Sequence, residues 1–508
     1  MELLRLLTGI KHKMYKNLPI MKRYSITLIF LILIVFQFSV CVAQPIRLDP
    51  ENNHYFEFRG KPTVLITSGE HYGSVVNPDF DFKLYLNTLS KTGLNHTRIF
   101  LGDYVEKTGA FCIKKNTLAP EAGKFLAPWA RSNQPGFSAG GNKFDLSQWN
   151  SEYFKRLHDF MQTASDMNIV VEAVLFFVGP GWVNMPMNPA NNINNTSSIQ
   201  AQDYMSLNNG NILEYQKAYC LKLVNELNSY DNLILNIANE PWFNNQEHDG
   251  FASPARDETK VWIKEVSDWI VVEEMKLQKK HLLSIDYTNE GYAISAEELE
   301  KYWNNISVFN HHYDKNAESA ILNYGINRAI SFNETGLMPP STSQYRIQGW
   351  KFLFSGGALY NNLDFTFQVG AEDGTGYTSF VCDWYNGCTD PSVKHQLKVL
   401  SDFMDFFDFI HSKPIFSPTK NIVTLIFGNE QVYALEAPGQ YAFYITGDSG
   451  NYISLSIMPG KYEACWIKPE TGEILSKTSA ETDKSGQIRL IEPKYTEDVA
   501  LMLKANPN

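Results

Sequence analysis

Between Thr63 and Ser412 the chain alternates short apolar runs with stretches of helical periodicity. Eight runs read as strands: Thr63–Ser68, Thr97–Leu101, Ile169–Phe177, Leu233–Ala238, Leu282–Asp286, Ile306–Asn310, Arg328–Asn333 and Gly357–Leu363. Each is rich in β-branched or apolar side chains and reads as covered on both faces, the pattern of a parallel sheet. Helical patterns separate them, over Phe80–Lys91, Leu146–Asp166, Ile212–Asn228, Glu258–Leu277, Ala296–Trp303, Asn316–Tyr324 and Ser343–Phe354, and Pro391–Ile410 follows the eighth. Strand–helix repetition predicts parallel strands joined by right-handed crossovers. Eight such units in roughly 350 residues predict a closed (β/α)8 TIM barrel rather than an open doubly wound sheet. The first strand is followed by no GxGxxG turn, which also argues against a dinucleotide fold.

Two connections are long, Gly102–Asp145 and Val178–Asn211. Both follow strands, so in a barrel both lie on the face that carries active sites. After Lys413-Pro414 the helical period disappears. Short alternating runs replace it: Asn421–Phe427, Gln431–Glu436, Tyr441–Thr446, Tyr452–Ile457, Lys461–Ile467, Glu473–Ser476 and Asp498–Leu503. Turn signals such as Pro438-Gly439 and Pro459-Gly460 divide them, which predicts a small antiparallel β-sandwich. Residues from about Pro45 to Gly60 read as a hairpin that enters or plugs the barrel.

The N-terminus changes the compartment. Lys22 and Arg23 precede an apolar run from Ile26 to Val42, and Cys41-Val42-Ala43 offers small residues before a cut ahead of Gln44. This reads as a signal peptide, with Met21 a candidate true start. An uncleaved anchor is the alternative, because about 17 apolar residues lie near the lower limit for a span. The expected organisation is a signal over 1–43, a barrel over 44–414 and a sandwich over 415–508. The expected location is secreted, periplasmic or at the cell envelope, with no membrane span in the mature chain. Of six cysteines, Cys382 and Cys388 are close enough to suggest a disulfide, with two free thiols as the alternative. The net charge of -11 argues against a nucleic-acid partner.

The sharpest local pattern is Asn239-Glu240-Pro241-Trp242, directly after the fourth strand. Asn333-Glu334-Thr335-Gly336 follows the seventh. Strands four and seven lie on roughly opposite sides of the ring, so the two carboxylates can face each other across the mouth. Glycosidic cleavage uses such a pair: an acid protonates the leaving oxygen, and a carboxylate traps the oxocarbenium-like sugar. One Glu then needs a raised pKa, which burial and a neighbouring negative charge supply.

These motifs resemble those of the clan A retaining glycoside hydrolases, the cellulase-like TIM barrels. There the acid/base Glu follows strand four in an Asn-Glu-Pro motif and the nucleophile follows strand seven. The resemblance implies acid/base Glu240, nucleophile Glu334, and Asn239 on the sugar 2-hydroxyl. Arg98, in Asn95-His96-Thr97-Arg98, matches an Arg ending strand two. His311-His312-Tyr313 matches a His-x-Tyr after strand six and implies roles for His311 and Tyr313. Strand three departs from the pattern, ending Leu175-Phe176-Phe177 without the polar residue many members carry. The stretch from Val432-Tyr433-Ala434-Leu435 through Pro469-Glu470-Thr471-Gly472 resembles the small C-terminal sandwich labelled collagen-binding; the label does not establish collagen binding.

Glu70, His71 and Tyr72 follow strand one and are further candidates to line the site; Trp182 and Trp242 are candidates to stack on a pyranose ring. Each also has a structural explanation, as a packed aromatic, a satisfied histidine or a core ion pair. The reading is a retaining O-glycosidase acting on a polysaccharide or oligosaccharide by double displacement, without metal or organic cofactor. The alternative is a non-catalytic carbohydrate-binding protein on a degenerate barrel. No HExxH or GxSxG motif supports a peptidase.

Overall fold

A three-stranded antiparallel cap precedes the barrel: β1 (Arg47–Leu48), β2 (Phe56–Phe58) and β3 (Lys61–Thr63). The computed structural model describes residues 44–177, 179, 181–244, 254–314, 316–335, 342–376, 388–426 and 430–506. The signal segment at 1–43 and Cys382 lie outside them. Cys388 is buried, with its Sγ 3.5 Å from the Asp390 carbonyl. Among the described residues no helix is long and apolar enough to cross a membrane.

Eight parallel strands form the barrel: β4 (Leu65–Gly69), β5 (His96–Phe100), β8 (Val170–Phe177), β9 (Leu233–Asn239), β10 (Leu282–Asn289), β11 (Val308–His312), β12 (Ala329–Glu334) and β13 (Leu359–Leu363), with β6 (Trp129–Pro135) and β7 (Asn142–Trp149) lying outside the ring. The order is β4-β13-β12-β11-β10-β9-β8-β5. Its two ends meet through Asn95. The Asn95 amide accepts from Ile66 N at 2.8 Å and donates to the Val64 carbonyl at 2.8 Å. Helices cover the outside: α1 (Phe82–Lys91), α2 (Ser151–Asp166), α3 (Ile212–Leu227), α4 (Asp257–Glu274), α5 (Ala296–Lys301), α6 (Glu318–Asn323), α7 (Thr342–Phe354) and α8 (Val393–Phe406). The first shows why these segments are helical. Asp81 accepts from Lys83 N and Leu84 N as an N-cap, and Phe82, Tyr85, Leu86 and Leu89 make one buried stripe.

One local reading changes. The segment from Leu146, expected to open a helix, instead completes β7, which pairs antiparallel with β6 inside the first long connection. The helix begins only at Ser151, where Asn150 accepts from Glu152 N. The N-terminal cap plugs the barrel at the end away from the mouth. Arg59 pairs with Asp231 at 2.8 Å and donates to the Ser165 carbonyl and Asn168, all at the ends of the strands remote from Glu240 and Glu334. It therefore closes the floor.

The barrel interior also departs from an apolar filling. Glu172 of β8 is fully buried and accepts from Asn236, Ser284 and Asn310 on one oxygen and from Asn333 on the other. Donors from four successive strands converge on one carboxylate, and a polar layer lies directly beneath the mouth. A buried charge persists only when paired and hydrogen-bonded in this way.

The C-terminal region has two facing sheets. The larger runs β14 (Lys413–Pro414), β16 (Gln431–Ala437), β17 (Gln440–Thr446), β22 (Asp498–Ala505), β19 (Lys461–Ile467), β20 (Ile474–Glu481). The smaller contains β15 (Val423–Leu425), β18 (Tyr452–Ser456) and β21 (Gln487–Ile491), the last of these not foreseen. One face of the larger sheet packs on the smaller, burying Phe443, Ile453, Leu455, Trp466 and Leu501. The other face joins the barrel's own core through Leu435, Ala442, Tyr444 and Ala500.

Candidate functional site

Glu240 stands just beyond β9 and Glu334 ends β12. Both are more than nine-tenths buried, and both point into the same space at the carboxyl end of the barrel. One oxygen of each, with His312 Nδ1, forms a group whose atoms all lie within 4.8 Å of one another. His312 sits between them, its Nδ1 2.8 Å from Glu240 Oε1 and 3.9 Å from Glu334 Oε1. Its Nε2 lies 3.2 Å from Asp286 Oδ2, an ion-pair contact off the ideal hydrogen-bond line.

The two glutamates have opposite surroundings. Glu334 accepts on Oε2 from Tyr72 at 2.9 Å and Arg98 at 3.1 Å, and on Oε1 from Tyr313 at 2.7 Å. Burial alone would raise its pKa, but His312, Arg98, Tyr313 and His71 outweigh it and hold the carboxyl below its ordinary value. Among the described residues Glu240 has one such partner. Burial, helped by the negative charge of Glu334, pushes it above the ordinary value despite the His312 hydrogen bond. One carboxyl is therefore held anionic, and its neighbour is disposed to keep a proton.

Arg98 and Asp286 organise the rest. Asp286 Oδ2 accepts from Arg98 at 2.7 Å and from the Glu240 backbone N–H at 3.2 Å; its Oδ1 accepts from Asn236 and Asn310. Burial would raise its pKa, but Arg98 and His312 hold it far below the usual range. Arg98 also donates to Asn239 at 2.8 Å and stacks over the Tyr72 ring at 4.8 Å. Flanked by three carboxylates, His312 is pushed up to about 10 even though burial alone would lower it. Such an imidazolium has no free lone pair, so Glu240, His312 and Glu334 would hold a metal only after it lost a proton. Tyr72, Glu240 and Tyr313 all have left-handed backbones, with φ of 62°, 44° and 54°. Strain of this kind persists where surrounding contacts fix it, and it collects at functional sites.

Of the sequence candidates, Arg98, Asn239, Tyr313, Glu240 and Glu334 come together. His71 lies beside them, stacked on Tyr72 and 3.0 Å from Glu106. Trp242 is buried edge-on against His312, ring centroids 5.3 Å apart. Trp182 packs on Tyr204 in the second long connection. His311 does not reach the carboxylates. It points outward to Tyr287 and the Glu290 carbonyl, and burial lowers it to about 4. His312 occupies the place expected of it. Asp286, His312 and Glu172 were missed, although strand alternation marks the first two: Ser284 and Asp286, and Asn310 and His312, recur at period two within apolar strands.

A family model described as a domain of unknown function (DUF6298) matches residues 122–269, a segment that contains Glu240 but not Glu334. No curated protein matches the chain. Solved structures do. One described as a glycoside hydrolase aligns at 12% identity with a TM-score of 0.59, over 91% of this chain and 97% of its own. A glycoside hydrolase family 5 structure from Bacteroides vulgatus ATCC 8482 aligns at 12% identity and 0.61, over 91% and 93%. A second structure from that organism aligns at 12% identity and 0.63, over 92% and 83%. The shared feature is the fold: an eight-stranded parallel barrel followed by an antiparallel sheet region.

Proposed function

We propose that this protein hydrolyses O-glycosidic bonds of a polysaccharide or oligosaccharide with retention at the anomeric carbon. Glu334 attacks that carbon while Glu240 protonates the leaving oxygen; Glu240 then deprotonates the water that releases the sugar. The observation that carries this reading is that one oxygen of each carboxyl comes within 4.8 Å of the other, while their proton affinities are driven apart. Retaining glycosidases place theirs about 5–5.5 Å apart, whereas inverting enzymes leave about 6.5–9.5 Å for a water. The family 5 name of a structural neighbour agrees with it. Arg98, Tyr72 and Tyr313 keep the nucleophile ionised and aimed, and Asn239 is positioned to bind the sugar 2-hydroxyl. His71, Trp182 and Trp242 supply polar and aromatic walls around the ring. The N-terminal segment marks the protein for export to the envelope or beyond, where polymeric carbohydrate is met.

Glu334→Gln tests the assignment. On a substrate found by screening defined polysaccharides and aryl glycosides, it should lower turnover by at least about 10⁴-fold with an unchanged circular dichroism spectrum. The first product of the native enzyme should carry the substrate's anomeric configuration by proton NMR. Near-native activity in the variant, or an inverted product, overturns the assignment. Binding without hydrolysis across the panel identifies a carbohydrate-binding protein instead.

A further inference from the structure

The mouth holds a histidine that the two-glutamate scheme does not call upon. His312 is fully buried, and each ring nitrogen faces a carboxylate. Asp286 from β10 faces Nε2; Glu240 after β9 and Glu334 from β12 face Nδ1. Arg98 from β5 reaches Asp286 and Glu334, Glu172 from β8 approaches Arg98 at 3.9 Å, and Tyr72 and Tyr313 donate to Glu334. A buried imidazole without such neighbours would shed its proton. Asp286 is suited to prevent that, because Arg98 and the Asn236 and Asn310 amides secure its own charge.

We propose that Asp286 is a positioning residue: with His312 it forms a charge bridge, an imidazolium fixed between Glu240 and Glu334. This rests on the double-displacement reading above. In the first step a Glu334 oxygen bonds to the anomeric carbon. The bond to the leaving oxygen breaks, and that oxygen takes the Glu240 proton. Negative charge has then left Glu334, now a neutral ester, and appeared on Glu240. In the second step Glu240 takes a proton from water, the water oxygen bonds to the anomeric carbon, and the ester electrons return to Glu334. Net charge in the mouth is the same in both states. The negative charge moves across the face of His312, which keeps both protons and stabilises whichever carboxylate is ionised. The closer contact, 2.8 Å, is to the glutamate that is anionic in the intermediate. A cation so placed lowers the cost of separating the two events without taking part in proton transfer.

The test uses the full-length protein with ¹⁵N-labelled histidine. The His312 resonances, identified by their loss in His312→Gln, should show both ring nitrogens protonated through pH 8. Asp286→Asn should lower the midpoint of His312 by at least about one pH unit. In His312→Gln both limbs of the kcat/KM profile should move to higher pH by about one unit, because the cation depresses both glutamates. Damaged packing would lower the whole profile without moving its limbs. A neutral His312 in the native protein at pH 7, an unchanged midpoint in Asp286→Asn, or limbs that stay or move down in His312→Gln each overturn the bridge. If Asp286→Asn does not fold, the native titration and the His312→Gln profile still decide. The NMR arm needs no substrate, so loss of the glycosidase reading, seen as an inverted product or no hydrolysis, is told apart from loss of the bridge.

Discussion

Among the described residues two buried arginines hold carboxylates, and they do so to different ends. Arg346 of α7 lies at the seam between barrel and sandwich. It grips Asp498 of β22 through Nε at 2.8 Å and Nη2 at 2.9 Å, and its Nη1 donates to Gln396 at 2.6 Å. Tyr444 donates to the same Asp498 at 2.7 Å, and its ring stacks on Trp350 at 5.2 Å. Here one cation meets one buried carboxylate and, through Nη2 at 3.1 Å, the exposed Glu497. Arg98 lies in a different balance. Around it and His312 stand Glu172, Asp286, Glu334 and Glu240, so carboxyls outnumber cations and one glutamate is left with a raised pKa. Closed pairing gives rigidity; unequal pairing gives two acids of different strength.

The seam should therefore answer to mutation as structure. Arg346→Met leaves Asp498 buried without its partner, and breaking such a pair costs about 3–5 kcal/mol. Denaturant melts should show that loss, with kcat per folded molecule unchanged. Adding Asp498→Leu should recover most of it, since a buried ion pair replaced as a unit by apolar groups is often near neutral. Failure of the second change to recover stability would show that the pair is more than a local lock.

The mouth should answer as chemistry. Arg98→Met removes a donor from Glu334, Asp286 and Asn239 together. Loss of one preorganised donor of this kind lowers kcat by roughly 10²–10³-fold. The acid limb of kcat/KM should rise as Glu334 loses a cation. A variant with lowered stability and intact kcat would place Arg98 with Arg346, among the purely structural pairs.

The same contrast explains what could be read from the residues alone. Eight apolar runs and their helices were legible because burial on both faces leaves a plain signal, and Glu240 and Glu334 because strand ends are countable. The β6–β7 hairpin was not, since its amphipathic run continues into α2 and only the cap at Asn150 divides them. His311 was preferred to His312 by motif spacing. Alternation from Asn310 predicts the reverse, and the register shift between His311 and His312 against β12 shows how local that alternation is. Asp286 carries a local signal: an acidic residue in an apolar strand, two positions after a serine on the same face. The seam was illegible, because nothing local links Arg346 to a residue 152 positions away.

The smallest expected effect concerns an acid that burial holds above its ordinary pKa, as it does in both regions. At the seam burial raises Asp498 although Arg346 and Tyr444 oppose it. At the mouth, Glu240 is the acid whose charge the fold resists, since burial and Glu334 favour its protonated form. A raised folded-state pKa gives stability that is fully present below the unfolded value and is lost as pH climbs through the folded value. Glu240→Gln makes the neutral form permanent. It should therefore leave stability unchanged near pH 4 and raise it by about 0.5–2 kcal/mol at pH 8, a gain typical of relieving strain at an active site. Turnover of substrates with poor leaving groups should collapse in the same variant. Thermal melts at the two pH values provide the measurement. A loss of stability at pH 8 would mean that the His312 hydrogen bond outweighs burial and repulsion, and that Glu240 rests in the free enzyme as an anion.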